Sequence, residues 1–209
     1  MTQEPPMAEP RDETRALRAD IYRLLGRLLR EPPDEALLAW LATLAPEGDG
    51  DLARAWQGLA QAAGAASPAA LARAHFRHLV GVIEGDITPY ASWYHNGALM
   101  DEALVALRRD LRRLGIARAE HSRDPEDHLA AELEVMALLV ETTPQAEAGF
   151  YRRHLLPWAD RCLADLAAVA TPFYARLGEL GRAFLAEEER RLAATDGEAP
   201  VRFVTPPVP

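Results

Sequence analysis

The chain has no lysine; all 23 of its basic residues are arginine. Cysteine is nearly absent too. With Cys162 alone, neither an intramolecular disulfide nor a cysteine zinc cluster is available, and the usage fits a reducing compartment. Positive charge is outnumbered, 23 basic against 32 acidic residues, for a net charge of -9. Phosphate binding wants a basic face, so no nucleic-acid partner is expected and a basic peptide or protein is favoured. No apolar run is long enough to span a bilayer. Residues 1–10 hold Glu4, Glu9 and three prolines and lack the basic and apolar regions of a secretory signal. A cytoplasmic protein without stable membrane insertion is expected. Also missing are strand alternation, hairpin signals, an internal repeat, a phosphate-binding glycine loop, His-Glu-x-x-His and Gly-x-Ser-x-Gly.

What remains is helix. Of 209 residues 49% are hydrophobic, and Ala, Leu, Arg and Glu dominate. The fold class expected is all-α: a single helical-bundle domain of about nine helices. It spans residues 12–194, between a disordered lead-in at 1–11 and an extended or disordered proline-rich tail at 195–209. If the bundle divides into two subdomains, the boundary falls in the polar connector 116–123. The first helix, about 12–30, carries Leu17, Ile21, Leu24, Leu25 and Leu28 on one face, with Arg15, Arg18 and Arg27 off it. Pro32-Pro33 stops it. Ser67-Pro68, Thr143-Pro144 and Thr171-Pro172 each read as a cap followed by a first-turn proline. A fifth helix is expected over about 97–114, with Gly115 as its C′ residue.

The most informative stretch is 124–136. Asp124 reads as an N-cap, Pro125 as the first helical residue, and Glu126 and Asp127 as first-turn carboxylates favoured by the helix dipole. Leu129, Leu133, Met136 and Val140 form the apolar face. Folding alone does not explain His128 beside Asp127, expected at an exposed helix mouth. A second stretch, 84–95, is an aromatic loop with Tyr90, Ser92, Trp93 and Tyr94. These aromatics either plug the core between helices or line a groove for a partner segment, where rings supply contact area at small entropic cost.

Metal chemistry has little support. A di-iron bundle needs Glu-x-x-His pairs from two helices, and none occurs. His75 and His78 share a helix face without a completing carboxylate pattern. Asp124, Asp127, His128 and Glu132 could surround a cation, but Asp124 and Asp127 also read as ordinary N-terminal helix carboxylates, so no metal or catalytic residue is assigned. Cys162 lies on an apolar stripe and reads as a buried structural thiol.

Four pieces, taken in order, resemble the TorD/DmsD/NarJ family of redox-enzyme maturation chaperones over about residues 14–190. They are Arg18-Ala19-Asp20-Ile21-Tyr22 with its Pro32-Pro33 stop; Phe76-Arg77-His78-Leu79 leading to Pro89-Tyr90-Ala91-Ser92-Trp93-Tyr94; Asp127-His128-Leu129 with Glu132, Leu133 and Met136; and Trp158-Ala159-Asp160 with Phe173-Tyr174. Val80 departs from the aromatic often found at its position. The resemblance implies a cytoplasmic, non-enzymatic chaperone. Its partner is a molybdoenzyme catalytic subunit, bound through its twin-arginine leader, its apo form or both. Export is delayed and molybdenum cofactor insertion is assisted. Client-binding roles are thereby implied for Asp127, His128, Tyr90, Ser92 and Tyr94, with Phe76, Leu79 and Glu132 beside them. It also implies a monomer or domain-swapped dimer. No cofactor is expected; some members are described as binding guanine nucleotides weakly, but no phosphate loop here supports that. The rival readings are a carboxylate and histidine metalloenzyme in a helical bundle, and a helical scaffold protein.

Overall fold

A computed structural model describes residues 10–81, 85–118 and 124–195. Among these there are ten α-helices and no strand. The helices are α1 (Pro10–Arg30), α2 (Glu35–Ala42), α3 (Asp51–Gly64), α4 (Pro68–His75), α5 (Ala91–Asn96), α6 (Glu102–Arg113), α7 (Leu129–Thr142), α8 (Pro144–Phe150), α9 (Ala159–Ala167) and α10 (Pro172–Thr195). A single π turn prolongs α4 over Phe76–Val80, and another prolongs α8 over Tyr151–Leu155. No described helix is long and apolar enough to cross a membrane.

Local chemistry sets the helix ends. Asp34 accepts from the Leu37 amide at 2.7 Å to start α2, and Ser67 accepts from the Ala70 amide at 3.4 Å with Pro68 in the first turn of α4. Both satisfy amides that a helix leaves unpaired at its N-terminus. Gly115 takes a φ of +71° just past α6, as its C′ position requires.

The axis of the bundle is the antiparallel pair of α1 and α7. Arg15 donates to the Val140 carbonyl near one end of the pair, while a Cβ on Gly26 would stand 3.1 Å from the Ala130 carbonyl near the other. Helices α3 and α9 pack on α10. At Gly178 the approach to α9 is so close that a Cβ would meet the Leu163 carbonyl at 2.6 Å. One core runs through all these contacts, with Tyr22 edge-on to Phe184 at 4.7 Å and Trp158 fully buried.

Three expectations are corrected here. The buried face of α1 is rotated: Arg18, Ile21, Tyr22, Leu25, Leu28 and Leu29 point inward, and Leu17 is exposed. Arg18 is therefore inside, paired with Glu147 and Glu188. The fifth helix begins at Glu102 rather than near 97, because Asp101 caps it by accepting from the Glu102 amide at 2.7 Å. Residues 91–96 of the expected aromatic loop form a separate helix, α5. The lead-in, the connector and the tail lie wholly or largely outside the described residues.

Candidate functional site

The N-terminus of α7 is not where its sequence puts it. Residues 124–127 are non-helical, and His128 is the N-cap: its Nδ1 accepts from the Ala130 amide at 3.0 Å. The ring proton of the neutral imidazole then sits on Nε2. Asp127 caps a different helix. Tyr90, the N-cap position of α5, makes no side-chain cap bond. Instead the Asp127 carboxylate accepts through Oδ2 from the Ser92 amide at 3.0 Å and from the Ser92 hydroxyl. The same hydroxyl oxygen accepts from the Asp101 amide at 3.2 Å, linking α6 to the junction.

Backbone pairing locks the two stretches together. The Leu129 amide donates to the Pro89 carbonyl and the Ala91 amide to the Asp127 carbonyl, both at 2.8 Å. Tyr90 and His128 thus face each other in an isolated antiparallel bridge, with the Tyr90 ring edge-on to the imidazole at 4.9 Å.

Two further corrections follow. Asp127 is 1% exposed and His128 6%, so the helix mouth is closed rather than open to solvent. Ser92 and Glu132 are also buried. The Asp-His pair, unexplained by local sequence, has a folding role: each residue caps one of two helices that meet there.

This junction is electrostatically costly. Burial lowers the His128 pKa to about 4, helped by Arg30 and His75 and opposed by Asp124. Burial pushes Glu132 well above the carboxylate range, and the nearby Asp127 charge adds to that. Trp158 Nε1 opposes it by donating to Glu132 Oε2 at 3.2 Å. Asp127 Oδ1 is buried and has no hydrogen-bond partner among the described residues. A protein that retains such a group close to a pocket is using it or tolerating it, and natural cores hold few.

The pocket lies in front of the junction and measures about 340 Å³. Its back is Tyr90 and His128; Leu79 and Val80 of the π turn form one wall, and Trp93 and Leu99 form another. Arg30 and Asp124 sit on the rim, 3.9 Å apart. Val80 is 53% exposed, Leu99 49% and Trp93 36%, so apolar surface continues outward from the pocket. The π turn is pinned from behind by His78, whose Nδ1 lies 2.6 Å from Asp86 Oδ2 and whose Nε2 lies 2.8 Å from Thr171 Oγ1. Gly85 passes so near this turn that a Cβ would stand 2.7 Å from the His78 carbonyl.

Of the residues singled out in the sequence, Tyr90, His128 and Leu79 line this pocket. Ser92, Asp127 and Glu132 stand behind it. Tyr94 turns toward α9: its hydroxyl donates to Asp165 at 2.6 Å, and Arg161 donates to its carbonyl at 2.6 Å. Phe76 is half exposed at the start of the π turn and is not part of the lining. Sequence reasoning passed over Arg30, Val80, Trp93, Leu99 and Asp124 as binding residues. The available signal was apolar residues outside any buried stripe, namely Trp93 and the Leu99-Met100 pair after Gly97.

Among the described residues no group of histidine, cysteine and carboxylate side chains is arranged to hold a metal. Cys162 is buried, with its thiol pKa pushed up to about 12 by burial, which suits packing rather than nucleophilic chemistry.

A crystal structure described as a putative redox enzyme maturation protein from Archaeoglobus fulgidus has the same all-helical fold. The TM-score is 0.52 at 16% identity, covering 89% of this chain and 99% of that one. The family model of the nitrate reductase delta subunit matches residues 45–164, more than half of the chain and all of the junction. The chain belongs to this family, that of the TorD and DmsD maturation chaperones. The Tat proofreading chaperone DmsD of Salmonella typhi is 34% identical over 96 residues, 45% of this chain and 47% of that protein. The chaperone protein TorD of Actinobacillus pleuropneumoniae serotype 3 is 31% identical over 120 residues, 51% of this chain and 57% of that protein. The matches thus span about half the length of these curated relatives. The family's named members are chaperones, not catalytic enzymes.

Proposed function

We propose that this protein is a cytoplasmic chaperone for the catalytic subunit of a molybdoenzyme. In this reading the pocket between the π turn, α5 and the start of α7 receives the client's twin-arginine leader. Binding holds the subunit back from export while its molybdenum cofactor is inserted. The observation that carries the reading is a pocket of mixed lining, with apolar Leu79, Val80, Trp93 and Leu99 beside a half-exposed carboxylate, Asp124, on its rim. An apolar leader segment fits against Val80, Trp93 and Leu99, and a leader guanidinium competes with Arg30 for Asp124. The overall charge of -9 attracts a basic segment from a distance.

Asp127, His128, Ser92 and Glu132 act in this scheme by holding the pocket wall in place, not by touching the leader. Tyr90 contacts it; Tyr94 and Phe76 lie outside the pocket itself. The test is a titration of a labelled twin-arginine leader peptide, followed by fluorescence anisotropy. Trp93→Ala weakens binding by about tenfold or more, as expected for an aromatic anchor, and Asp124→Asn by a smaller factor. Trp93 is exposed and Asp124 half exposed, so both substitutions leave helicity intact. Unchanged affinity in both would remove the leader from this pocket.

A further inference from the structure

A second concavity lies on the other side of the π turn and has no part in the reading above. It measures about 570 Å³ and opens between the end of α3, α4 and the start of α10. Its floor is apolar: Ala62, Ala66, Leu71 and Phe173. Its polar groups are Arg73, Arg77 and Thr171, and none of its lining residues is acidic.

Several exposed arginines of this chain, among them Arg23, Arg27, Arg108 and Arg182, are matched to a carboxylate. Arg73 and Arg77 are exposed on successive turns, and no ion pair to either occurs among the described residues. Among the described residues, the Arg77 guanidinium has as hydrogen-bonding neighbours the Thr171 hydroxyl at 3.3 Å and the His78 ring nitrogen at 3.5 Å. With 32 acidic residues against 23 basic, two adjacent cations left unneutralised over an apolar floor form a local reversal of sign.

The geometry points to a second docking site, for an acidic segment of a partner polypeptide. In this arrangement apolar side chains of that segment lie on the floor, and a carboxylate is held by Arg73 and Arg77. A pair of guanidinium groups is a carboxylate-recognising set. The volume is that of an ordinary ligand site, and the few convergent polar groups would fix orientation. A polypeptide is favoured over a small free anion because the net charge of -9 repels any anion at long range. Apolar burial must supply the difference, and a segment with flanking leucines provides it. The site is chemically opposite to the leader pocket: one favours cationic and the other anionic partners. The π turn separates them, with Arg77 lining one and Leu79 and Val80 the other.

The test uses two dye-labelled, end-capped decapeptides. One carries two glutamates among leucines, the other two glutamines at the same places. The full chain binds the glutamate peptide about tenfold or more tightly than the glutamine peptide. Arg73→Ala with Arg77→Ala abolishes that preference at unchanged helicity, and Arg73→Glu with Arg77→Glu transfers it to a lysine version. Equal binding of the glutamate and glutamine peptides, no binding of either, or a preference that survives the double alanine variant overturns the proposal. Binding of anionic phospholipid vesicles that is lost in the same variant, without peptide preference, would assign the patch to a membrane surface instead. The double alanine variant keeps its leader affinity, so failure of this site and failure of the leader pocket are read separately.

Discussion

Arg18 and Asp127 are both charged groups removed from water, near opposite ends of α1, and the fold treats them differently. Arg18 donates from Nε and Nη2 to the two oxygens of Glu188, each at 2.7 Å, and from Nη2 to Glu147 at 2.6 Å. Arg191 closes the ring by donating to the same two carboxylates. Burial would raise the Glu188 pKa, but the Arg18 and Arg191 hydrogen bonds win and hold it below its usual value. At the other end, one oxygen of Asp127 is unbonded, Glu132 is buried against that charge, and His128 is kept neutral. The Tyr22 hydroxyl beside Glu188 makes no hydrogen bond of good geometry among the described residues, so the contrast lies in the charged groups. A matched cluster ties helices together and asks nothing further. An unmatched one, lying behind a pocket, is where stability has been given up.

Substitutions can break this contrast in order of size. Arg18→Ala leaves two buried carboxylates with Arg191 as their remaining cation and should cost about 3 kcal/mol or more in urea unfolding, the low end of the range for breaking a buried pair. A loss under 1 kcal/mol would show that the cluster is solvated.

The pH response of the junction comes next. His128 has a folded pKa of about 4, below its unfolded value near 6.5. Its contribution to stability is therefore fully present above pH 6.5 and is lost as the pH falls toward 4. The full loss is at most about 3 kcal/mol. His128→Asn keeps a capping acceptor for the Ala130 amide and should flatten stability between pH 6.5 and 4. A curve parallel to that of the unsubstituted protein would place the titration elsewhere.

Asp127→Ala removes the cap that α7 lends to α5, at an expected cost of about 2 kcal/mol. It should also weaken leader binding, because the pocket wall moves. Loss of stability with leader affinity intact would separate the junction from the pocket.

Glu132→Gln has the smallest effect and the opposite sign. The folded pKa of Glu132 is raised, so its contribution falls as pH rises above the unfolded value near 4.5. Glutamine keeps an oxygen for Trp158 Nε1 and should stabilise the protein at neutral pH by about 1 kcal/mol. Calorimetric destabilisation instead would mean that the carboxylate has a paired role.

Much of the helical order was legible because it rests on local chemistry: the Ser67 cap before Pro68, the prolines that open α8 and α10, the apolar stripe of α7 and the glycine after α6 all act within one turn. Thr143, by contrast, makes no side-chain cap bond, and the Thr171 hydroxyl meets His78. What escaped the sequence acts across the chain. Arg18 is one residue from the exposed Leu17, and periodicity alone admits either as the inward edge of α1. Only Glu147 and Glu188, which lie more than 120 positions away, decide between them. Asp124 looked like the cap of α7 because Asp before proline is a strong local signal. Residues 124–127 stay outside the helix because the Asp127 carbonyl and carboxylate are taken up by Ala91 and Ser92. The aromatic loop was recognisable as special, yet its division into a contacting Tyr90, an inward Ser92 and a Tyr94 turned to α9 follows from α5, which is too short to announce itself by periodicity.

The most direct test of the account places a photo-reactive residue in the apolar segment of a twin-arginine leader and maps its crosslinks on the full chain by mass spectrometry. Crosslinks should concentrate at Val80, Trp93 and Leu99 and disappear when unlabelled leader is in excess. Competed crosslinks confined to α9 and α10, with none around the pocket, would contradict it.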